Sequence, residues 1–175
     1  MVTILCSDVL KRLEGKSLVT AESLTGGGIG AAITAVPGAS AVYRGGVISY
    51  VNEVKRDVLG VPQEILDRYG AVSAWTAGYM ASGVRKLLNA DVAVSVTGLA
   101  GPTGDEFGHP VGTVYIGFES ASKAMVKHCN FAGSREEIRN QTIQAALELI
   151  LENTYKATPP RLSRRRFSVM RWDRN

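Results

Sequence analysis

Apolar positions recur along this chain with two different periods, and each period predicts a different kind of element. Where apolar residues return every three to four positions we predict a helix, and where they form a short run we predict a strand. The predicted helices span residues 3–14, 31–35, 52–59, 62–69, 73–89 and 134–153. The predicted strands span residues 18–21, 43–51, 92–96, 111–118 and 123–131.

The order of these elements predicts an α/β fold, built as a three-layer α/β/α sandwich, because helices both precede and follow strands. The last two strands are joined by a short turn near Ser120–Ser122, which predicts an antiparallel pair and therefore a mixed sheet. In open α/β sheets, ligands bind beyond the carboxyl ends of the strands. We therefore expect the functional residues in the segments that follow strands.

Local signals set the expected ends and buried faces of the elements. Ser134, with Glu137 three residues later, has the pattern of a capping box, and Asn52 is a candidate N-cap. The Gly45–Gly46 pair suggests a bulge within its strand. The expected buried positions are Ile4, Val9, Leu10 and Leu13 in the first helix, Ala77, Met80, Ala81, Val84, Leu87 and Leu88 in the 73–89 helix, and Ile138, Thr142, Ala145, Ala146, Leu149 and Ile150 in the last.

Composition and charge divide the chain into a domain, 1–155, and a basic tail, 156–175. The chain has 175 residues, 45% of them apolar and 21% charged, which is typical of one globular domain. Periodicity is lost after Pro159–Pro160. The tail has seven basic residues and one aspartate, a charge of +6, which leaves −2 of the total of +4 for the rest. The seven are Lys156, Arg161, Arg164, Arg165, Arg166, Arg171 and Arg174.

Because the domain is mildly acidic and only the tail is strongly basic, a basic domain face for nucleic acid is not indicated, and a nucleic-acid partner is not expected. The tail also carries apolar residues such as Phe167 and Trp172, which can dock on a neighbouring subunit, and we expect a homo-oligomer. The alternative is a solvated tail. In either case we expect the tail to be dispensable for catalysis.

Further classes are disfavoured by what the sequence lacks. No apolar run approaches the roughly 20 residues of a membrane helix, and the first 13 residues lack the pattern of a signal peptide. Cys6 and Cys129 lie far apart without the spacing of a metal site, so we expect free thiols in a reducing cytoplasm. We expect no membrane association, no metal and no other cofactor.

The first candidate site is the glycine-rich turn within residues 20–30. A strand, a turn and a helix are predicted in succession, which places Ser23 at a strand end beside the N–H groups of the following helix. Gly26–Gly28 remove side chains where a ligand must approach closely. Such a turn can hold a phosphate or stabilise an oxyanion. The alternative is a turn that only packs tightly.

Two more segments follow strands and are expected to converge with Ser23. A second glycine-rich loop, 97–104, follows the 92–96 strand, and Ser49–Tyr50 precede Lys55. A lysine that burial keeps neutral can take the proton of a serine nucleophile; the alternative for Lys55 is a solvated lysine on a helix. His109 and His128 are expected to have structural or surface roles.

Five motifs occur in one order, and together they resemble a known family. They are TAESLTGG at 20–27, RGGVISYVNEVK at 44–55, GAVS at 70–73, VTGLAGP at 96–102 and PVGT at 110–113. The chain resembles the CinA C-terminal domain family over about residues 5–153. Stand-alone members of that family are nicotinamide mononucleotide amidohydrolases. The resemblance therefore implies hydrolysis of the carboxamide of nicotinamide mononucleotide to nicotinate mononucleotide and ammonia, without a metal.

The resemblance also implies a role for each site residue. Ser23 is the implied nucleophile, Lys55 the general base, and Tyr50 a residue that steers the proton. Further residues are expected to contact the substrate, either through N–H groups around the oxyanion or through groups that hold the ribose or phosphate. These residues are Thr25, Gly26, Gly27, Thr97, Gly98, Gly101 and Arg135. The expected partner is a small mononucleotide.

The sequence departs from the family pattern at four positions. Leu24 replaces a cysteine, Asp105 and His109 replace a glycine and a lysine, and Ser134 replaces an aspartate. The loop changes bear on substrate contacts more than on the serine–lysine chemistry. The alternative function is a catalytically silent nucleotide-binding or oligomerising module, which ammonia release by the purified protein would exclude.

Overall fold

The computed structural model describes residues 1–155, which form one mixed sheet between two layers of helices. The helices are α1 Val2–Arg12, α2 Gly28–Thr34, α3 Asn52–Asp57, α4 Gln63–Tyr69, α5 Ala74–Leu87 and α6 Arg135–Asn153, with a 3-10 turn at Ala39–Ala41. The strands are β1 Leu18–Glu22, β2 Tyr43–Ile48, β3 Val92–Gly98, β4 Thr113–Ser120 and β5 Ala124–Asn130.

The five strands lie in the order β2-β1-β3-β4-β5. β1 pairs in parallel with β2 and β3, whereas β4 is antiparallel to both β3 and β5. The predicted antiparallel pair and mixed sheet are therefore confirmed. All five residues of β1 are buried, because this strand lies between two others and is covered on both faces.

Each face of the sheet has its own apolar core. On one face, α1, α2 and α6 contribute Val9, Ile33 and Leu149, among others. On the other, α4 and α5 contribute Leu66 and Met80. These two cores confirm the three-layer α/β/α sandwich. Within residues 1–155, no helix is long and apolar enough to cross a membrane, and Cys6 and Cys129 are free thiols.

Several local predictions are confirmed. Ser134 and Glu137 form the reciprocal bonds of a capping box at the start of α6. The register between β1 and β2 shifts at Leu18–Val19, opposite Gly45, which has a φ of 140°. All six positions expected to be buried in α6 are buried.

Several predicted boundaries are wrong: α2 begins at Gly28 rather than at residue 31, and β4 spans Thr113–Ser120 rather than 111–118. β2 ends at Ile48 rather than at residue 51, because β1 ends opposite it at Glu22 and leaves no partner strand. β3 continues through Thr97 and Gly98, which pair with β4. Asn52 is the first residue of α3 and not its N-cap; Val51, with an extended backbone, occupies that position.

Two positions expected to be buried are exposed. Ile4 is 67% exposed, because the buried line of α1 runs through Cys6 and Val9, and residues two apart lie about 200° apart around a helix. Leu87 is 53% exposed. The buried line of α5 passes from Val84 towards Leu88, four residues on, from which Leu87 is rotated by about 100°.

Gly83, in the middle of α5, lets this helix pack closely against the connection that follows α3. A Cβ atom there would overlap with the carbonyl oxygen of Leu59. Gly78 lies in the same helix, but its Cβ atom would meet only Val126, at an ordinary 3.7 Å. The two glycines therefore offer a matched pair of substitutions.

We predict that Gly83→Ala lowers the free energy of unfolding by about 1–3 kcal/mol, because a backbone must move to admit the methyl group. Gly78→Ala should raise it by up to about 1 kcal/mol, since alanine is the better helix former. Urea denaturation of both variants measures the difference. Equal effects at the two positions would contradict the close approach at Leu59.

Candidate active site

The carboxyl ends of the three parallel strands meet in one place. The Ser23 amide donates to the Val96 carbonyl at 3.1 Å, and the Ser49 amide donates to the Glu22 carbonyl at 2.8 Å. Alternation along β1 turns Val19 and Ala21 towards the α5 layer, and Ser23 follows the same alternation. The site therefore lies at the sheet edge, on the side of α4 and α5.

Ser23 and Lys55 form a hydrogen-bonded pair in this place. The Lys55 Nζ atom lies 3.0 Å from Ser23 Oγ, and the two residues are 1% and 7% exposed. Nζ also donates to the Ser49 carbonyl at 2.6 Å, and the Tyr50 carbonyl lies 3.5 Å away. Because α3 begins just after β2, the chain brings Lys55 back under the end of its own strand.

Burial lowers the pKa of Lys55 from 10.5 to about 8, because the low-dielectric interior disfavours the ammonium form. At pH 7 a lysine with such a pKa is neutral in roughly one molecule in ten. The neutral amine has two N–H donors, which the Ser49 and Tyr50 carbonyls can accept. Its lone pair is then free to face the Ser23 hydroxyl, as a general base requires.

A cavity of about 290 Å³ opens onto the Ser23–Lys55 pair. Its walls come from the turn after β1, the turn after β2, the segment before α5, the loop after β3 and the start of α6. The Thr97 hydroxyl donates to the Ala71 carbonyl at 2.7 Å, which ties the loop after β3 to the segment before α5. Leu24, Val72 and Leu99 contribute apolar wall.

Arg135 bridges two sides of the mouth of this cavity. Its Nη1 donates to the Gly101 carbonyl at 2.5 Å, and its Nη2 donates to the Tyr50 hydroxyl at 3.0 Å. Both Arg135 and Tyr50 are exposed, and both line the cavity. Because a guanidinium has five N–H donors, these two bonds leave capacity for an anionic ligand.

Seven of the residues predicted from the sequence line the cavity: Ser23, Lys55, Tyr50, Thr97, Gly98, Gly101 and Arg135. Their convergence at the ends of the strands follows the architecture that the sequence predicts. Their roles toward a substrate stay predictions.

The other three predicted contacts, Thr25, Gly26 and Gly27, do not line the cavity. Thr25 is fully buried, and its hydroxyl donates to Glu22 at 2.6 Å. Gly26 and Gly27 have φ angles of 59° and 98°, which the tight turn requires. The Thr25 side chain and the two glycines therefore stabilise the turn. A role of the three backbone amides toward an oxyanion stays a prediction.

Glu22 occupies the helix N-terminus that we expected to be open to a ligand. It is 2% exposed and accepts bonds from the amides of Ile29 and Gly30 at 2.8 and 3.0 Å. The α2 donors are thus used by the protein itself. A carboxylate directly after the predicted strand 18–21 is the one sequence signal for this arrangement.

Arg139 is the second residue of the site that sequence reasoning missed. It lies one turn after Arg135 on α6, and its guanidinium donates to the carbonyls of Leu24 and Thr25 at 3.0 and 3.1 Å. The spacing of four residues between two arginines was the available signal, because such residues share one helix face.

The departures from the family pattern have local explanations. Asp105 and His109 pair with each other, with Oδ2 and Nδ1 2.7 Å apart, in the loop between β3 and β4 and outside the cavity lining. Ser134 supplies the cap of α6. His128 stacks on Tyr115 with ring centres 4.5 Å apart, which is a structural role.

Within residues 1–155, no group of three or more His, Cys, Asp or Glu side chains is arranged to hold a metal ion. The expectation of a reaction without metal or cofactor stays a prediction.

Comparison with curated proteins places this chain among longer relatives. CinA-like proteins of Synechococcus sp. (strain CC9311) and Endomicrobium trichonymphae are 58% and 48% identical to it over 114 and 139 residues. The matches cover 64% and 79% of this chain but 27% and 32% of the relatives. The chain therefore spans about a third of the length of the curated relatives it matches.

Solved structures share the fold. The competence damage-inducible protein A (ComA) from Klebsiella pneumoniae subsp. pneumoniae MGH 78578 has a TM-score of 0.85 and 37% identity, over 87% of this chain and 96% of that one. The competence/damage inducible protein CihA from Agrobacterium tumefaciens has a TM-score of 0.84 and 37% identity, over 86% and 94%. The model of the CinA C-terminal domain matches residues 4–154. The chain therefore belongs to the CinA C-terminal domain family.

Proposed function

We propose that this protein hydrolyses the carboxamide of nicotinamide mononucleotide to nicotinate mononucleotide and ammonia. One observation carries the proposal: a buried lysine whose Nζ lies 3.0 Å from a serine hydroxyl at the base of a cavity. A nucleophile and a base within hydrogen-bond reach are the signature of nucleophilic catalysis. The substrate itself is taken from the resemblance of the five motifs to the family.

In the proposed reaction, neutral Lys55 takes the proton of Ser23 as Oγ attacks the carboxamide carbon. The C–O bond forms, the carbonyl becomes an oxyanion, and Lys55 becomes an ammonium. Lys55 then returns the proton to the leaving nitrogen, the C–N bond breaks, and ammonia departs from an acyl ester on Ser23. Water attacks that ester with Lys55 again as the base, which releases the acid and restores the serine.

The cavity mouth supplies groups suited to the rest of the mononucleotide. Arg135 is cationic and lies at the first residue of α6, where the positive end of the helix dipole also favours an anion. A guanidinium binds phosphate through two parallel hydrogen bonds. We propose that Arg135 holds the phosphate, that Tyr50 steers the proton, and that Thr97 with the Gly98–Gly101 backbone borders the ribose.

We predict that Ser23→Ala and Lys55→Gln each reduce ammonia release by roughly a thousandfold or more, since either change removes the nucleophile–base unit. The double variant should be barely worse than either single variant. Lys86→Gln removes an exposed lysine and serves as the control, with expected activity near that of the unchanged protein. Steady-state assays of ammonia, with circular dichroism to check folding, measure all four. If the losses of the two single variants simply multiply in the double variant, the result would contradict the conclusion that Ser23 and Lys55 act as one unit.

The pH dependence of kcat/KM should show an acid limb at the pKa of Lys55. Burial lowers that pKa to about 8, and only the neutral amine accepts a proton, so activity should fall about tenfold per pH unit below it and be level above. A profile measured from pH 6 to pH 10 tests this. Activity that continues to rise up to pH 10 would argue against a buried lysine as the base.

Arg135→Ala should harm the mononucleotide more than a substrate without phosphate. A charge-assisted hydrogen bond contributes about 1.5–3 kcal/mol, so we expect a loss in kcat/KM of roughly 10- to 100-fold for the mononucleotide. Nicotinamide riboside, which lacks the phosphate, should lose far less. Equal losses for the two substrates would reassign Arg135 to a structural role at the mouth.

The same assays distinguish amide hydrolysis from the alternative function. A silent nucleotide-binding or oligomerising module would bind the mononucleotide, as measured by calorimetry, but would release no ammonia. The presence of both Ser23 and Lys55 in hydrogen-bond contact favours the enzyme.

A further inference from the structure

One side chain of α6, that of Arg139, anchors the turn that follows Ser23. Arg139 Nε donates to the Leu24 carbonyl at 3.0 Å, and Nη2 donates to the Thr25 carbonyl at 3.1 Å. These two bonds join segments more than a hundred positions apart in the chain. Among residues 1–155, Arg139 forms no ion pair, so its described contacts are with the carbonyls of this turn.

Anchored carbonyls fix the direction of the neighbouring amides. In a trans peptide, the carbonyl of one residue and the N–H of the next point in opposite directions. Because the Thr25 carbonyl points to Arg139, the Gly26 N–H points away from Arg139, and it donates to the Ser23 carbonyl. That bond in turn sets the direction of the Leu24 N–H, which lies in the same peptide as the Ser23 carbonyl. A cation on a carbonyl also polarises the peptide and strengthens the N–H as a donor.

The amides of this turn divide into used and available donors. Ser23 N–H donates to the Val96 carbonyl, and Gly26 N–H donates to the Ser23 carbonyl at 3.0 Å. For the Leu24 and Thr25 amides, no acceptor occurs among the hydrogen bonds of residues 1–155. Leu24 follows Ser23 directly and lines the cavity, and the N–H after a nucleophile is a common oxyanion donor.

The opposite side of the turn is held by Glu22, which accepts from the Thr25 hydroxyl at 2.6 Å. Thr25 is thus fixed through its side chain by Glu22 and through its carbonyl by Arg139. Neither Glu22 nor Arg139 lines the cavity. Their common effect is on the orientation of the peptides between Ser23 and Gly26.

We propose that Arg139 is a positioning residue, which fixes the peptides after Ser23 so that the Leu24 amide receives the oxyanion. The inference rests on the proposed serine chemistry. It assigns different tasks to two arginines on one face of α6: Arg135 acts on the substrate at the cavity mouth, and Arg139 acts on the nucleophile turn.

The test compares Arg139→Gln and Arg139→Lys with Asn140→Ala, an exposed neighbour on α6 that serves as the control. Loss of one oxyanion donor costs roughly a hundred- to a thousandfold in kcat. We expect Arg139→Gln to lower kcat by at least about thirtyfold with KM changed less than about threefold. Arg139→Lys should recover part of the loss, because its ammonium can donate to one of the two carbonyls but lacks the planar fork. Asn140→Ala should match the unchanged protein.

A second readout separates positioning from general loss of structure. Pyridine-3-boronic acid forms a tetrahedral adduct with a serine, and one adduct oxygen occupies the oxyanion position. Its affinity, followed by the tetrahedral ¹¹B resonance, should weaken in the Arg139 variants in proportion to kcat. Nicotinamide mononucleotide binding to Ser23→Ala with and without Arg139→Gln should be the same, because the ground state makes no use of the Leu24 amide as a donor.

Three results would overturn the inference: an unchanged kcat in both variants, a loss carried by KM, or unchanged affinity for the boronic acid. If Arg139→Gln does not fold, the same three criteria apply to Arg139→Lys. A protein that forms the adduct but releases no ammonia from the mononucleotide contradicts the proposed substrate, and the boronic acid then decides the role of Arg139. Absence of an adduct in the unchanged protein overturns both proposals.

Discussion

The structure of the site depends on one contact, the hydrogen bond between the buried amine of Lys55 and the hydroxyl of Ser23. A lysine amine is strongly hydrated in water, and its burial is unfavourable unless it loses its charge or finds acceptors. Here the carbonyls at the end of β2 accept from it, and the interior lowers its pKa to about 8. The short α3, which directly follows β2, makes this possible. The close packing of α5 at Gly83 holds the connection after α3 in place.

Strand alternation gives the two faces of β1 different tasks. Ser23 follows Val19 and Ala21 towards the α5 layer, where the cavity lies, whereas Glu22 faces α2 and accepts from its first amides. The helix N-terminus therefore stabilises a carboxylate of the protein. In the proposed reaction its contribution is indirect, through the shape of the turn between Ser23 and Gly26. The proposed role of Arg139 completes this arrangement from the side of α6.

Much of the fold and of the candidate site could be predicted from the sequence, and each feature that could not has a physical reason. Apolar runs and helical periods gave the elements, and the rule that ligands bind at strand ends placed Ser23, Lys55 and Thr97 together. Boundaries such as the end of β2 were wrong because they depend on where the partner strand stops. The exposure of Ile4 and Leu87 depends on which side of a helix the sheet covers. Glu22 and Arg139 were missed because their partners are backbone atoms, which the sequence does not distinguish.

Membership of the CinA C-terminal domain family accounts for the fold, and the Ser23–Lys55 pair supports the proposed amide hydrolysis. The proposed mechanism therefore depends on a lysine that is partly neutral near pH 8. The most direct measurement is the titration of the Lys55 amine by ¹⁵N NMR of lysine side chains, with the spectrum of Lys55→Gln as the assignment. The proposed mechanism predicts a midpoint at about 8, well below the ordinary value of a lysine. A midpoint near the ordinary 10.5 would contradict it.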